Sequence, residues 1–279
     1  MASGETKSGY GFDSARLDRV ERRFWREVWE SMPAGTAGAH GVELRDFGPV
    51  QASVAADLAE VPMLNLVLGA TQPNALAAGH LDAAVAWVGS KRLRAYVPVA
   101  PAAPTTEDVE SWLRAHGSEP GYAWMKFVRD AHPPRVAAPD LEVRELTSGE
   151  EAPFGAIAAA GFGLPAWGAE FFAHLPGRPG WHCYVARIDG RSQACAAMLI
   201  DGDVAEFGIA ATLEPARGRG AQLALLHRRI ADAGAAGCET LFVETGERVP
   251  NRPSASYRNI LRAGFEEAYL RPNWVVDAT

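Results

Sequence analysis

Apolar residues recur at helical spacing near the start of the chain, where Leu17, Val20, Phe24 and Val28 are separated by acidic and basic residues. The pattern predicts an amphipathic helix over 14–32, opened by Ser14. Shorter elements follow: a strand over 42–47, a helix over 50–58 and an apolar strand over 63–68. A helix over 75–88 starts after Pro73 and Asn74 and is stopped by Gly89. The strand over 93–99 contains Pro98, which places it at a sheet edge. Residues 105–116 read as a helix with Thr106 as its cap, and 122–128 as a further strand. The stretch 132–140 holds Pro133, Pro134 and Pro139 without periodicity and reads as a linker.

Beyond the linker, 141–146 alternates as a strand and helical stretches occupy 151–160 and 167–173. Strands over 181–188 and 193–200 flank Asp189-Gly190, a strong hairpin signal. A third strand covers 204–211. From 222 to 234, Leu223, Leu226, Ile230 and Ala233 form a helical stripe that ends at a glycine. A buried strand over 240–245, a helix over 254–263 and a strand over 265–275, with Pro272 inside it, complete a mixed α/β order around a sheet.

The two halves echo one another. Ala70-Thr71-Gln72-Pro73 opens a helix as Ala211-Thr212-Leu213-Glu214-Pro215 does, and Leu113-Arg114-Ala115 precedes His116-Gly117 as Leu261-Arg262-Ala263 precedes Gly264-Phe265. Their matching order favours an old duplication, although short matches arise readily in an alanine-rich chain. The expected division is an N-terminal unit over 1–131, a linker over 132–140 and a C-terminal unit over 141–279.

With 279 residues, 48% of them hydrophobic, the chain can bury a core in each unit. Its net charge of −7 argues against an extended basic surface for nucleic acid. Cys183, Cys195 and Cys238 are too scattered for a disulfide framework or a zinc site. The segment Met1 to Tyr10 lacks an apolar signal core, and no run of about 18 apolar residues suggests a membrane span. The expectation is a soluble, cytoplasmic protein with no membrane partner.

The chemistry concentrates at Pro215-Ala216-Arg217-Gly218-Arg219-Gly220-Ala221-Gln222, between a strand and an amphipathic helix. Glycines let the backbone turn sharply with its amides pointing one way. The helix that follows adds unsatisfied N–H groups and the positive end of its dipole, which together suit a pyrophosphate. Arg217 and Arg219 add charge. A solvated glycine-rich connection is the alternative reading of these eight residues alone. A Walker loop is excluded by the missing Gly-Lys-Ser/Thr, and a dinucleotide fingerprint by the missing third glycine.

This turn resembles the Arg/Gln-x-x-Gly-x-Gly/Ala signature of the GNAT superfamily of acyl-CoA-dependent N-acetyltransferases. Gln222 departs from it by replacing a small residue, so that its side chain would either crowd the cofactor or hydrogen-bond to it. Gly237-Cys238, the strand 240–245, the helix 254–263 and Gly264-Phe265 follow in the family's order. By motif the resemblance covers 212–265, and by element order 141–274. It implies a GNAT-like mixed sheet flanked by helices, in tandem with a degenerate N-terminal copy that lacks the Arg-Gly-x-Gly turn and should not bind CoA.

The resemblance further implies that two central strands splay to admit the pantetheine arm of acetyl-CoA. Main-chain groups of Ile209, Ala210, Ala211, Thr212 and Leu213 would pair with it, and one N–H would polarise the thioester carbonyl. Arg217, Gly218, Arg219, Gly220, Ala221 and Gln222 would hold the diphosphate, and Ser256 and Asn259 would meet the pantetheine or adenine end. Glu206 is the first candidate base, its apolar neighbours disfavouring the charged form; an outward-facing strand carboxylate is the alternative. The usual tyrosine acid, four residues before the Gly-Phe pair, is Ile260 here. Tyr257, one turn earlier, and Tyr269 are substitutes, and solvent is another. His182, Tyr184, His174, Trp167 and Tyr269 would line an acceptor pocket by position. The implied reaction carries an acetyl group to a primary amine of a small molecule. A non-catalytic acyl-CoA sensor or scaffold, and an aminoacyl-tRNA-dependent transferase of related fold, remain the alternatives.

Overall fold

The computed structural model describes residues 12–101, 103–150, 152–250 and 254–277. The polar start Met1 to Tyr10, and Glu151 as the first residue of a helix, lie outside the described residues. In chain order the elements are α1 (Ser14–Ser31), α2 (Ala34–Ala39), β1 (Val42–Phe47), β2 (Val50–Ala55), β3 (Val67–Leu68), α3 (His80–Ser90), β4 (Ala95–Pro98), α4 (Thr106–Ala115) and β5 (Pro120–Arg129). There follow β6 (Glu142–Leu146), α5 (Ala152–Phe162), α6 (Glu170–Ala173), β7 (Trp181–Ile188), β8 (Arg191–Asp201), β9 (Val204–Thr212), α7 (Ala221–Ala235), β10 (Thr240–Gly246), α8 (Ala255–Arg262) and β11 (Glu266–Val276).

Most of these elements stand where the hydrophobic pattern puts them. Asp13 caps α1, its carboxylate accepting from the amides of Ala15 and Arg16 at 3.0 and 3.3 Å; Ser14 is the first helical residue and not the cap. The expected helix over 50–58 is instead mainly strand. Val50 and Val54 sit four apart and imitate a helical stripe, but Gly48 takes φ 57° and turns the chain, pairing Phe47 with Val50. The six residues of β2 are all buried, so the strand shows no alternation. The helix expected from 75 begins at His80, after Gly79 at φ 70°.

Packing divides the chain into two units, one containing Asp13–Met125 with residues 269–277, the other Lys126–Ala268. The expected boundary at 132–140 is therefore displaced. That segment has no helix or strand and belongs to the second unit, while β5 and β11 each run across a division.

In the first unit, β1, β2 and β3 form an antiparallel sheet, and β4 is paired with β11 through Asn273↔Pro98 to Val276↔Ala95. Trp274 and Val276 thereby join a core of Val50, Val54, Leu81, Val97 and Leu113. The same strand carries Arg271, whose guanidinium binds the Glu21 carboxylate of α1 through two 2.6 Å contacts, with both side chains at most 3% exposed. The last stretch of sequence is thus built into the core of the first unit.

In the second unit, the strands run in the order β5, β10, β9, β8, β7, β6. Pairing is parallel between β10 and β9 and antiparallel from β9 to β6. The β7–β8 hairpin closes on Asp189 and Gly190, both at positive φ (51° and 74°), as a two-residue turn requires. Helix α7 covers the face bearing Tyr184, Ala186, Ala194 and Ala196. Helix α5 lies on the other face, so close that a Cβ on Gly161 would meet Ala211 Cβ at 2.4 Å.

Removing one partner of a buried ion pair strands the other, at a cost of several kcal/mol. Glu21→Gln is expected to destabilise the first unit by about 3 kcal/mol, read as a lowered urea midpoint. An unchanged midpoint would show that Arg271 is satisfied without Glu21.

Candidate functional site

Strand β9 ends at Thr212, and Leu213 N–H still donates to Gln193 carbonyl at 2.9 Å. A single tight turn over Glu214–Ala216 leads into Arg217-Gly218-Arg219-Gly220. Gly218 and Gly220 take φ values of 77° and 86°, open to glycine and costly for other residues. No side chain caps α7 at Gly220. The first-turn amides of Ala221, Gln222 and Leu223 therefore lack partners within the helix and border a cavity of about 630 Å³. Oriented amides at the positive end of a fifteen-residue helix form an anion site.

A second feature opens the sheet beside this turn. Strands β9 and β10 are paired only from Val204↔Thr240 to Phe207↔Val243, although β9 continues to Thr212 and β10 to Gly246. On the other edge of β9 the register with β8 slips between Cys195 and Ala197, where three β9 steps face two on β8. Ile209 lies in this bulge at φ 47°, an unusual conformation for a β-branched residue. Buried Arg229 of α7 donates to Ala197 carbonyl at 2.9 Å beside the slip, and its guanidinium lies over Phe207. Burial lowers the Arg229 pKa to about 10. The outcome is a length of β9 past Phe207 that β10 does not cover, and Ala210, Ala211 and Thr212 of that length line the cavity.

The far wall is the start of α8. Gln222 Nε2 donates to Ser256 Oγ at 2.9 Å, and Asn259 Nδ2 donates to Gln222 Oε1 at 2.8 Å. Gln222 therefore turns towards α8 and ties it to the first turn of α7. Arg217 lines the cavity, its Nε donating to Thr212 carbonyl at 3.4 Å. Arg219 instead forms a bidentate pair with Asp189 at 2.5 and 3.0 Å, and that hydrogen bonding lowers the Asp189 pKa.

The structure thus gathers Ala210, Ala211, Thr212, Arg217, Gly218, Gly220, Ala221, Gln222, Ser256 and Asn259 around one cavity. Ile209, Leu213 and Arg219 lie in the adjoining chain without lining it. A larger cavity, about 1090 Å³, runs between residues 130–141 and the outer side of α7. It contains neither glycine of the turn, so its size does not make it the anion site.

Glu206 is buried on β9, in register with Leu199 of β8 and Phe242 of β10, and is not among the cavity-lining residues. Sequence reasoning missed two charged neighbours. Lys126 of β5 is buried, lies over the Phe242 ring and pairs with Glu244 of β10 at 2.9 Å. Strand alternation puts Glu206, Phe242 and Glu244 on one face of the sheet. A lone lysine in one apolar strand and a lone glutamate in another were the only signals, and nothing local joins them.

Tyr257 is turned away from the cavity. Its hydroxyl donates to Glu267 at 2.5 Å and its ring meets Phe127 edge-on, while Ser256 and Asn259 take the cavity side of α8. Burial, then the bond to Glu267, raises its pKa well above the ordinary range. Tyr184 is packed beneath α7 with its hydroxyl on Asp232 at 2.7 Å, away from the open side expected for an acceptor residue. His182 and His174 are paired with Glu145 and Glu170, and Trp167 packs near Phe171. Tyr269 belongs to the other unit. Burial pushes the Cys195 thiol up to about 12 and that of Cys183 well above its usual range, which removes both as nucleophiles. No described helix is long and apolar enough to cross a membrane.

No protein-family model and no curated protein matches the chain. Solved structures do. A GCN5-related N-acetyltransferase from Kribbella flavida matches with a TM-score of 0.59 at 18% identity, over 94% of this chain and 95% of its own. A GCN5-related N-acetyltransferase from Sphaerobacter thermophilus matches with a TM-score of 0.57 at 15% identity, over 83% and 81%. A tandem GNAT protein from the clavulanic acid biosynthesis pathway gives 0.54 at 15%, over 96% of each chain. The fold is that of the GNAT superfamily, and the match to a tandem member takes in both halves of the chain.

The two turn glycines make separable demands. A Cβ on Gly218 meets nothing within 4 Å, whereas one on Gly220 comes within 3.0 Å of Pro139. Gly218→Ala is expected to cost about 1 kcal/mol from its backbone angle alone, and Gly220→Ala more. Urea midpoints check the order; a Gly220 variant as stable as the parent would contradict the positive φ.

Proposed function

We propose that the chain is an acyl-CoA-dependent N-acyltransferase that moves an acetyl group from acetyl-CoA to a primary amine of a small molecule. The observation that carries this reading is the uncovered length of β9 ending at an uncapped, glycine-built helix N-terminus. A pantetheine arm offers amides to such an edge as an added strand does, and the diphosphate at its end meets the amides of 218–222. The GNAT fold of the solved structures supports it, as does the single cavity that gathers most of the residues expected to hold the donor.

In the proposed reaction the amine nitrogen attacks the thioester carbonyl carbon, whose oxygen is stabilised by a main-chain N–H near Ile209. Collapse breaks the C–S bond and releases the CoA thiolate. Glu206 accepts the proton lost by the amine, directly or through water. Tyr257 takes no part, since its hydroxyl is given to Glu267; solvent supplies the proton to the thiolate, whose conjugate thiol is already fairly acidic.

The corresponding cavity of the first unit, about 310 Å³, is bordered by Gln72, Asn74 and Leu76, with Asp108 and Ser111 from α4. Asp108 opposes a diphosphate, so the donor is assigned to the second unit alone.

Two measurements test this. Calorimetry with the full chain should give one acetyl-CoA bound per chain; two sites would overturn the assignment to one unit. Thiol release against an amine panel should show turnover, and Glu206→Gln should lower kcat on the order of a hundredfold or more while acetyl-CoA still binds. Binding without release for any amine would make the protein an acyl-CoA sensor instead.

A further inference from the structure

The glycine turn does not account for all the positive charge at the cavity. Arg258 and Arg262 stand one helical turn apart on α8, and both line the cavity together with Arg217, while among the described residues no aspartate or glutamate lines it. Several other arginines of this unit are matched to carboxylates: Arg144 to Glu150, Arg187 to Glu142, Arg219 to Asp189 and Arg228 to Asp232, while exposed Arg135 and Arg191 do not line this cavity. Among the described residues, the side chains of Arg258 and Arg262 have no such partner.

Like charges four residues apart on a helix repel each other. In a chain whose net charge is −7, two adjacent unmatched arginines stand out. A doubly charged group lying across both would relieve the repulsion and satisfy both guanidinium forks. Their distance from the anion site is also held fixed, because Gln222 bonds to Ser256 and Asn259 and so fastens α8 to the first turn of α7. The cavity therefore presents two anion-binding places: the amide turn, and the arginine pair on the opposing helix. A ligand that fits both carries a diphosphate and, separately, a phosphate monoester.

On the reading that the donor is an acyl-CoA, we infer that Arg258 and Arg262 hold the 3′-phosphate on the ribose of coenzyme A. The pair then selects the donor from nucleotides that share its diphosphate and pantetheine but lack that phosphate.

The test is calorimetric titration of the full chain with coenzyme A and with dephospho-coenzyme A, which differ by that one group. Coenzyme A should bind on the order of tenfold more tightly at low salt, and the preference should shrink at high salt because both arginines are exposed. In the double variant Arg258→Gln, Arg262→Gln the two affinities should converge, through weaker binding of coenzyme A. Circular dichroism confirms that this surface variant is folded, and each single variant should show part of the convergence. Equal affinities in the unaltered chain would overturn the assignment and leave the donor reading standing. A preference that survives in the double variant would overturn it too, by placing the 3′-phosphate elsewhere. Binding of neither nucleotide would remove the donor reading, and the arginine assignment with it.

Discussion

The site depends on one backbone event, the slip of β9 at Ile209. A strand in the middle of a sheet satisfies its amides and carbonyls on both edges. Here pairing with β8 continues to Thr212 while pairing with β10 ends at Phe207. A β-branched residue at φ 47° is held there against its own preference, so the surrounding structure has to over-determine it. Arg229 contributes, fully buried and bonded to Ala197 carbonyl beside the slip. Gly161 contributes from the other face, since its lack of a side chain lets α5 lie directly on Ala211. The sheet is stabilised around an opening that it would otherwise close, and the glycine turn stands at the end of the strand that opens.

Much of this was legible because it is local. The turn residues, the stripe of α7 and the Asp189-Gly190 hairpin each announce themselves within a dozen residues. Most of the residues expected from the sequence to hold the donor fall around one cavity because they are neighbours in the chain or lie on one side of a short helix. What was not legible depended on partners far away in sequence. Strand β2 is buried on both faces, so its spacing imitates a helix. Lys126 meets Glu244 across 118 positions of chain, a contact that no periodicity encodes. Tyr257 stands one turn from the position where the resemblance places a tyrosine acid, and its bond to Glu267 and its contact with Phe127 show which way it faces.

The matched order of the halves extends to the residues that face a cavity in each unit. Aligning Leu113-Arg114-Ala115 with Leu261-Arg262-Ala263 sets Asp108 against Ser256, Glu110 against Arg258 and Ser111 against Asn259. Both α4 and α8 turn the first and last of these positions towards a cavity. One helix offers hydroxyl, amide and arginine, the other two carboxylates and a hydroxyl. With no Arg-Gly-x-Gly turn after Pro73, the first unit has neither the glycine turn nor its arginines.

The units also show why the proline-rich segment is a poor place to divide the chain. Composition marks 132–140 as a linker, yet Lys126, Phe127 and Arg129 belong to the second unit, where they meet Glu244, Tyr257 and the Ala263 carbonyl. Residues 269–277 belong to the first, where Arg271 meets Glu21 and Trp274 fills the core. A fragment beginning at 141 would leave Glu244 without its buried ammonium, and one ending at 131 would leave Glu21 without its guanidinium. In the fragment ending at 131 the carboxylate left behind is 1% exposed, and losing its guanidinium is costlier than losing a surface contact. The first unit takes its last strand from the end of the sequence and the second takes in the end of β5, so neither unit is bounded at the joint that composition suggests.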